Sequence, residues 1–366
     1  FFFKQKTAYE MCGRDWSSDV CSSDLDVCAI TISGRTPKLI AFASYNYPPK
    51  LSAELFELIK APSMHLDSFG KLNFQIGRAF ASAIERFISK HGISPNKIKG
   101  IGLSGQTVWH SPKGPAPFSI QLGSPHPITK IIHAPVVFDF RNSHIAAGGD
   151  GAPLVPPFHA KMYPFKKPSM VLNIGGISNY TLVSGASFFG SDIGPGNALM
   201  DAYCRELLKK PCDHNGALAS KGTIKSGLVR KILQHKEFKR KHPFSTGKEI
   251  FNFQFIPNQL LRLSPEDALA SLTEVTAQSI AITANKHKKY KNIYVCGGGA
   301  FNKHLMSRLD ALCEQSVFTT EALGIHPQAI ESMAFAWMAY MRVSNKKISV
   351  AQNGSKALLG SVLRIK

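Results

Sequence analysis

The chain has 366 residues, 44% apolar and 19% charged, enough to bury a sizeable core and too apolar for wholesale disorder. Lys and Arg number 44 against 24 Asp and Glu, a net charge of +20, which attracts polyanions in general without naming one. No run of about 18 uninterrupted apolar residues predicts a membrane-spanning helix. Seven scattered cysteines, with no CxxC pair and no zinc-ligand spacing, read as the reduced thiols of a cytoplasmic protein.

Residues 1–25, FFFKQKTAYEMCGRDWSSDVCSSDL, have neither helical nor strand period. They also lack the basic start and apolar run of a secretory signal. The string resembles a translated sequencing adapter, so it is set apart as a non-native or disordered segment. Residues 27–32 and 39–43 then read as a hairpin around Gly34. Residues 51–60 and 68–91 carry helical spacing, with Phe69, Leu72, Ile76, Phe80, Ile84 and Phe87 on one face. Gly92 and Pro95 end the second helix. IKGIGLSG (98–105) is a short buried strand entering a glycine loop, and a further strand ends at VVFDF (136–140). Residues 169–183 predict two strands joined at Gly175 and Gly176. Residues 191–208 predict a glycine and proline loop feeding a helix, and the basic span 205–248 is expected to be helical. Residues 264–287 are the clearest helix: Ser264 can cap it, Pro265 suits its first turn and Asp267 favours its positive end. Residues 292–309 read as strand, triple glycine and helix, and 326–343 as a last helix. Strands and helices alternating after glycine loops define an α/β protein.

Phosphoryl groups need dense backbone N–H donors at close range, which glycine permits. CGGGAFN (296–302), NIGGISN (173–179) and DIGPGN (192–197) are three such loops. Taken singly, each is also compatible with a tight turn and no ligand. None is a P-loop or a dinucleotide fingerprint. Asp192 opens the third loop, where a carboxylate can act as general base, bind a metal or cap a turn. GLSGQTVWH (102–110) places Ser104, Gln106, Thr107 and His110 after a strand, and it is not a nucleophile elbow. In DFRNSHIAAGGDGAPLVPPFH (139–159), Arg141 can clamp a carboxylate or phosphate or sit on the surface. The charge alone raises a nucleic-acid reading, but no nucleic-acid module and no stripe of aromatic and basic residues support it.

GQTVWH, DFRNSHIAAGGDGAPLVPPFH, LNIGGISN, DIGPGNALMD, STGKE (245–249), CGGGAFN and ESMAFAW (331–337) occur in the order found in anhydro-N-acetylmuramic acid kinases. From Asp26 onward the chain therefore resembles that family, part of the actin-like ATPase, Hsp70 and sugar-kinase superfamily. The resemblance implies a ribonuclease H-like fold of two α/β domains, 26–137 and 138–366, with a nucleotide cleft between them and the last residues packing back on the first domain. It implies a cytoplasmic enzyme of peptidoglycan recycling, with a homodimer as a plausible state. That enzyme uses ATP, Mg²⁺ and water to open the 1,6-anhydro bond of anhydro-N-acetylmuramic acid and phosphorylate O6. On this sequence, Asp192 resembles the general base. Arg141 resembles the residue that binds the sugar's lactyl carboxylate, and Gln106, Thr107, Asp139 and Glu331 resemble further substrate contacts. Asp26, Asn173, Gly175, Gly176, Gly194, Gly298 and Gly299 resemble nucleotide contacts. No metal ligand is assigned.

The departures from the family pattern are specific. Ser104, His144 and Asp150 stand where the family usually has His, Asp and Gln, which leaves a related sugar kinase or an inactive nucleotide-binding homologue as the alternative. Only Asp26 matches the family's opening GTSxDGxD motif. The expectation is therefore a missing first strand and phosphate loop, an unfilled sheet edge, lowered stability and weak ATP binding.

Overall fold

The computed structural model describes residues 2–7, 24–33, 36–60, 63–162, 167–185, 187–244, 246–247, 250–350 and 355–364. The chain divides into two compact units, residues 1–163 with 328–366, and residues 164–327. The boundary expected at 137/138 lies instead inside the first unit. Its strand β7 (Val136–Phe138) pairs in register with the C-terminal strand β15 (Ser361–Leu363), so the segment after β7 stays with the sheet that β7 belongs to. The C-terminal residues do belong to the first unit, as expected.

The first unit is built on a six-stranded sheet. Its order is β15, β7, β4 (Gly100–Leu103), β1 (Phe2–Thr7), β2 (Asp24–Ser33) and β3 (Thr36–Asn46). The missing first strand is thus a correction. The backbone of Phe2–Thr7 pairs antiparallel with β2, Phe2 opposite Ile30, and parallel with β4, Phe2 opposite Gly100. The reason lies in the backbone: without a strand there, β2 and β4 would each present an unpaired row of N–H and C=O groups. Any short run of sufficient strand propensity can satisfy such a row whatever its side chains. The expected lack of a phosphate loop concerns residues 8–23, which lie outside the described residues, as does Gly34.

The helices α1 (Pro49–Lys60) and α2 (Leu66–Lys90) form where the apolar period predicts them, and Leu72, Ile76, Phe80, Ile84 and Phe87 of α2 are buried. A small antiparallel ribbon, β5 (Gln106–Ser111) with β6 (Phe118–Leu122), follows β4. Short helices α3 (His126–Thr129), α4 (Phe140–Ala146) and α5 (Pro156–Met162) flank β7.

The second unit has a five-stranded sheet. Its order is β10 (Ser187–Pro195), β9 (Ile177–Ser184), β8 (Ser169–Ile174), β11 (Asn292–Cys296) and β12 (Ser316–Thr319). β8, β11 and β12 are parallel, and β9 and β10 run antiparallel. Helices α6 (Ala198–Tyr203), α7 (Ser226–Leu233), α8 (Asn258–Leu261), α9 (Pro265–Ala284) and α10 (Lys303–Leu312) complete the unit. In α9 the predicted cap is present: Ser264 Oγ accepts the Asp267 N–H at 3.2 Å. The basic span 205–248 is not one helix. It breaks into a π turn (Cys204–Leu208), 3₁₀ turns and the two-turn α7, because Pro211, Gly216 and Gly222 interrupt any longer run.

The last helix, α11 (Ala329–Val343), packs in the first unit on β1, β2 and β4. It is buried from Ser332 to Ala339, so it reads as apolar nearly all round. After it come a two-stranded ribbon, β13 (Ile348–Ser349) with β14 (Lys356–Ala357), and β15. Among the described residues no helix is long and apolar enough to cross a membrane. Gly102 of β4 lets α11 approach: a Cβ there would collide with the Phe335 carbonyl. Backbone cannot step aside as a side-chain tip can. Gly102→Ala is therefore expected to destabilise the protein by about 1–3 kcal/mol, measured by urea unfolding.

Candidate active site

In the second unit the three glycine loops meet at the C-terminal ends of the parallel strands β8 and β11, the end where open α/β sheets bind ligands. The β8–β9 turn, Gly175 and Gly176, accepts three backbone bonds from the loop after β10. Gly196 N–H donates to Gly176 O at 2.7 Å, Asn197 to Gly175 O at 2.8 Å and Ala198 to Gly176 O at 3.0 Å. Thr276 Oγ1 of α9 donates to Gly196 O at 2.8 Å, and Ser178 Oγ to Gly194 O at 3.1 Å. Gly297 N–H donates to Pro327 O at 3.1 Å. The Cys296 thiol reaches Asn173 Oδ1 at 3.8 Å.

The glycines divide by what surrounds them. A Cβ on Gly196 would collide with Gly175 O, one on Gly297 would crowd Asn173 and Ile174, and one on Gly299 would collide with the Ile174 side chain. A Cβ on Gly175 or Gly298 would meet nothing closer than 3.6 Å. The first three are glycine because the loops pack on one another, whereas the last two would hold a Cβ in ordinary contact, Gly175 half-buried and Gly298 exposed. The triple glycine opens a 3₁₀ turn (Gly298–Phe301) rather than α10 itself. Asn302 caps α10, its Oδ1 accepting the Leu305 N–H at 3.0 Å. Behind the loop, burial pushes the Asp201 carboxyl up to about 7, against the opposing pull of Arg205.

Asp192 lies within β10, at the irregularity between Asp192 and Gly194 where the pairing with β9 shifts register. The sequence places it at a strand end, but the strand continues to Pro195. Its Oδ2 accepts the Thr246 N–H at 2.8 Å, which ties the carboxylate to the STGKE segment. Ser245, Lys248 and Glu249 of that segment lie outside the described residues.

In the first unit, Arg141 on α4 is 4% exposed, which rules out a surface role. Its Nη1 donates to Gly151 O at 3.0 Å, and its Nε is buried without a partner. Among the described residues no carboxylate pairs with it. A buried guanidinium with one hydrogen bond to its five donors is costly unless an anion joins it. His144 supports the Gly151 peptide: its Nδ1 accepts the Gly151 N–H at 2.9 Å and its Nε2 donates to Val350 O at 2.7 Å. Burial keeps His144 neutral, pulling its pKa down, which matches that pattern of one acceptor and one donor nitrogen. The departure at His144 is therefore accounted for by the turn it holds.

A polar network joins the remaining residues of the clamp. Gln121 Nε2 donates to Thr107 Oγ1 at 3.4 Å and to Ser119 Oγ at 2.6 Å, and Ser119 Oγ lies 2.8 Å from His110 Nδ1. Asn142 brackets the Ser119 backbone and donates to Asp139 Oδ1 at 2.7 Å. Asp139 joins β7 to α4 in the left-handed region, φ 54°. Gln106 is buried and turns its Nε2 to Thr107 O at 3.4 Å. The structure thus ties Thr107, Asp139 and His110 together through Ser119, Gln121 and Asn142. Sequence reading did not single out those last three, because only the folding of the β5–β6 ribbon against α4 gives them a shared partner. Glu331 stands in the first turn of α11 beside a buried, unpartnered Ser332 hydroxyl. Asp26 is buried within the sheet, accepting Ser44 Oγ at 2.5 Å.

Among the described residues no group of three or more His, Cys, Asp or Glu could hold a metal ion. A glycine-rich backbone with room beside it and a fixed carboxylate are parts that phosphoryl transfer can use, since its catalysis is positioning and charge stabilisation.

The profile of the family described as anhydro-N-acetylmuramic acid kinase matches residues 18–363. The chain is 41% identical to the anhydro-N-acetylmuramic acid kinase of Gamma-proteobacterium EBAC31A08, over 93% of this chain and 95% of that one. It is 38% identical to that of Pasteurella multocida, over 88% and 87%. Among solved structures it is similar to component A of the Acidaminococcus fermentans (R)-2-hydroxyglutaryl-CoA dehydratase, at 13% identity and a TM-score of 0.47, over 87% and 95%. The chain belongs to the anhydro-N-acetylmuramic acid kinase family, and it is a kinase.

Two outcomes follow from this geometry. Gly196→Ala should cost about 1–3 kcal/mol in thermal or urea unfolding, whereas Gly298→Ala should stay within about 0.5 kcal/mol of the parent. Burial, with the Arg141 charge, pulls His110 down to about 4, and burial pulls His159 to about 3. The folded state therefore binds fewer protons than the unfolded chain below the ordinary histidine value, 6.5. Stability should fall as the pH drops from 6.5 toward 4, checked by unfolding midpoints across that range.

Proposed function

We propose that this kinase hydrolyses the 1,6-anhydro bond of anhydro-N-acetylmuramic acid and transfers the γ-phosphoryl group of ATP to the released O6, yielding N-acetylmuramic acid 6-phosphate and ADP. The observation that carries the substrate choice is the buried Arg141 guanidinium, which among the described residues has one hydrogen bond and no carboxylate partner. A lactyl carboxylate supplies the missing anion in bidentate form. Thr107, Asp139 and Gln106 are assigned to the sugar's polar groups, as is Glu331.

The chemistry is balanced as follows. Asp192 takes a proton from a water whose oxygen bonds to the anomeric carbon. The C1–O6 bond breaks and its electron pair stays on O6. That oxygen attacks the γ-phosphorus as the bond to the ADP oxygen breaks. Asn173, Gly175, Gly176, Gly194, Gly298 and Gly299 are assigned to the nucleotide. The room beside Gly175 and Gly298, where even a Cβ would fit without a clash, supports that reading, and Asp26 is assigned to the same side of the reaction. Bound Mg²⁺ supplies neutralisation of phosphate charge. Such an enzyme serves recovery of cell-wall sugars in the cytoplasm.

The test is product formation from ATP, Mg²⁺ and anhydro-N-acetylmuramic acid, followed as the 6-phosphorylated sugar by mass spectrometry; absence of product sinks the reading. Asp192→Asn should abolish turnover with nucleotide binding retained. Arg141→Ala should raise KM for the carboxylated sugar by about 100-fold or more, the cost of an unpaired charge, and erase its preference over an anhydro amino sugar lacking the lactyl group. Equal preference in the parent enzyme would favour a related sugar kinase instead.

A further inference from the structure

Residues 242–244 and Thr246 lie at the start of the STGKE segment, and neither the glycine cradle nor the guanidinium clamp explains why they lie where they do. They are laid against two consecutive residues of β10. Asp192 N–H donates to Phe244 O at 3.1 Å. Ser191 Oγ accepts the Phe244 N–H at 3.1 Å and lies 2.9 Å from His242 Nδ1. Thr246 N–H donates to Asp192 Oδ2 at 2.8 Å. The Thr246 hydroxyl is buried and has no partner among the described residues, so that side chain does not anchor the segment. The anchoring comes from the other end, where the His242 ring stands edge-on to Tyr180 at 5.7 Å. Ser191, itself 7% exposed, is the junction between ring and strand.

We propose that His242 is a positioning residue for Asp192: through Ser191 it holds the Phe244 backbone and thereby Thr246, two residues on, whose N–H orients the Asp192 carboxylate. This rests on the reading of Asp192 as the base. One bond to Oδ2 is enough to fix that orientation, and a carboxylate out of line with its water loses rate steeply, by about 100-fold for a displacement of about 1 Å. Burial, together with Lys286 and His287, pulls the His242 pKa down against the opposing Asp192 carbonyl. The ring is therefore neutral at pH 7 and adds no charge beside the base.

The experiment compares Ser191→Ala and His242→Phe with Asp192→Asn. The first variant removes one oxygen, and the second keeps an aromatic ring against Tyr180. Both should lower kcat by about 10- to 100-fold with KM for either substrate within about twofold. Both should also move the acid limb of the kcat profile to higher pH, since the carboxylate loses a donor to its charged form. The double variant should be no worse than either single one, because one relay is broken twice. His242→Asn, whose amide takes the place of Nδ1, should recover most of the loss. The proposal is overturned, with the base reading intact, if both variants keep kcat and the acid limb while Asp192→Asn is inactive. Additive losses in the double variant overturn the relay through Ser191. Full turnover by Asp192→Asn overturns the base reading and the proposal together. If His242→Phe fails to fold, Ser191→Ala decides.

Discussion

The turn between β8 and β9 is held by three backbone N–H groups from residues 196–198, with no side chain between the two loops. That contact exists only because Gly196 lacks a Cβ, which would collide with the Gly175 carbonyl. Gly297 and Gly299 close the same assembly from β11 against Asn173 and Ile174. Backbone dipoles packed this way are stiff and already hydrogen-bonded to one another. The peptide groups at Gly175 and Gly298, where a Cβ would fit, are therefore held in place by backbone alone. The apolar layer beneath makes this possible: α9 is buried along most of its length, and its Thr276 hydroxyl reaches up to the Gly196 carbonyl. On the far side of α9, Glu274 is 3% exposed and is held in a two-point pair with Arg308 at 2.7 and 3.1 Å. Burial raises its pKa, but the Arg308 and Gln278 hydrogen bonds outweigh that and keep it low, which leaves the helix free of an uncompensated charge.

The first unit solves a different electrostatic problem. It buries a cation at Arg141 beside two histidines whose pKa values burial pulls down against the opposing charge of Asp150, and beside a chain of Ser, Gln and Asn side chains that leads to Asp139. Among the described residues no carboxylate pairs directly with the guanidinium, so its demand for a close anion is unmet there. His144 shows how a local sequence change is absorbed. Both ring nitrogens are spent on backbone, at Gly151 and Val350, and the peptide it steadies is the one that orients Arg141.

Much of this was legible in the chain because it is local. The 3.6-residue period of α2, the Ser264–Pro265 start of α9 and the paired glycines between β8 and β9 each express a preference of a few neighbouring residues. The glycine loops were legible as loops, but not as two kinds of glycine: that a Cβ on Gly299 would strike Ile174 while one on Gly298 would fit depends on a strand 125 residues away. The basic span 205–248 misled because apolar and basic residues at helical spacing say nothing of the breaks that its Pro and Gly residues impose. The domain boundary was misplaced for a related reason, since the partner of β7 is the C-terminal strand β15.

The sequence by itself determined the α/β class, the order of the glycine loops and the identity of the residues able to carry charge chemistry, because these follow from local spacing and from motifs that keep their order. Only the tertiary structure decided where those residues stand. It buried Arg141 with no counter-ion among the described residues, tied Asp192 to the Thr246 backbone 54 residues on and filled the gap between β2 and β4 with Phe2–Thr7. In each case the deciding quantity was burial or a backbone pairing between distant segments, and neither is written in any short stretch of the chain.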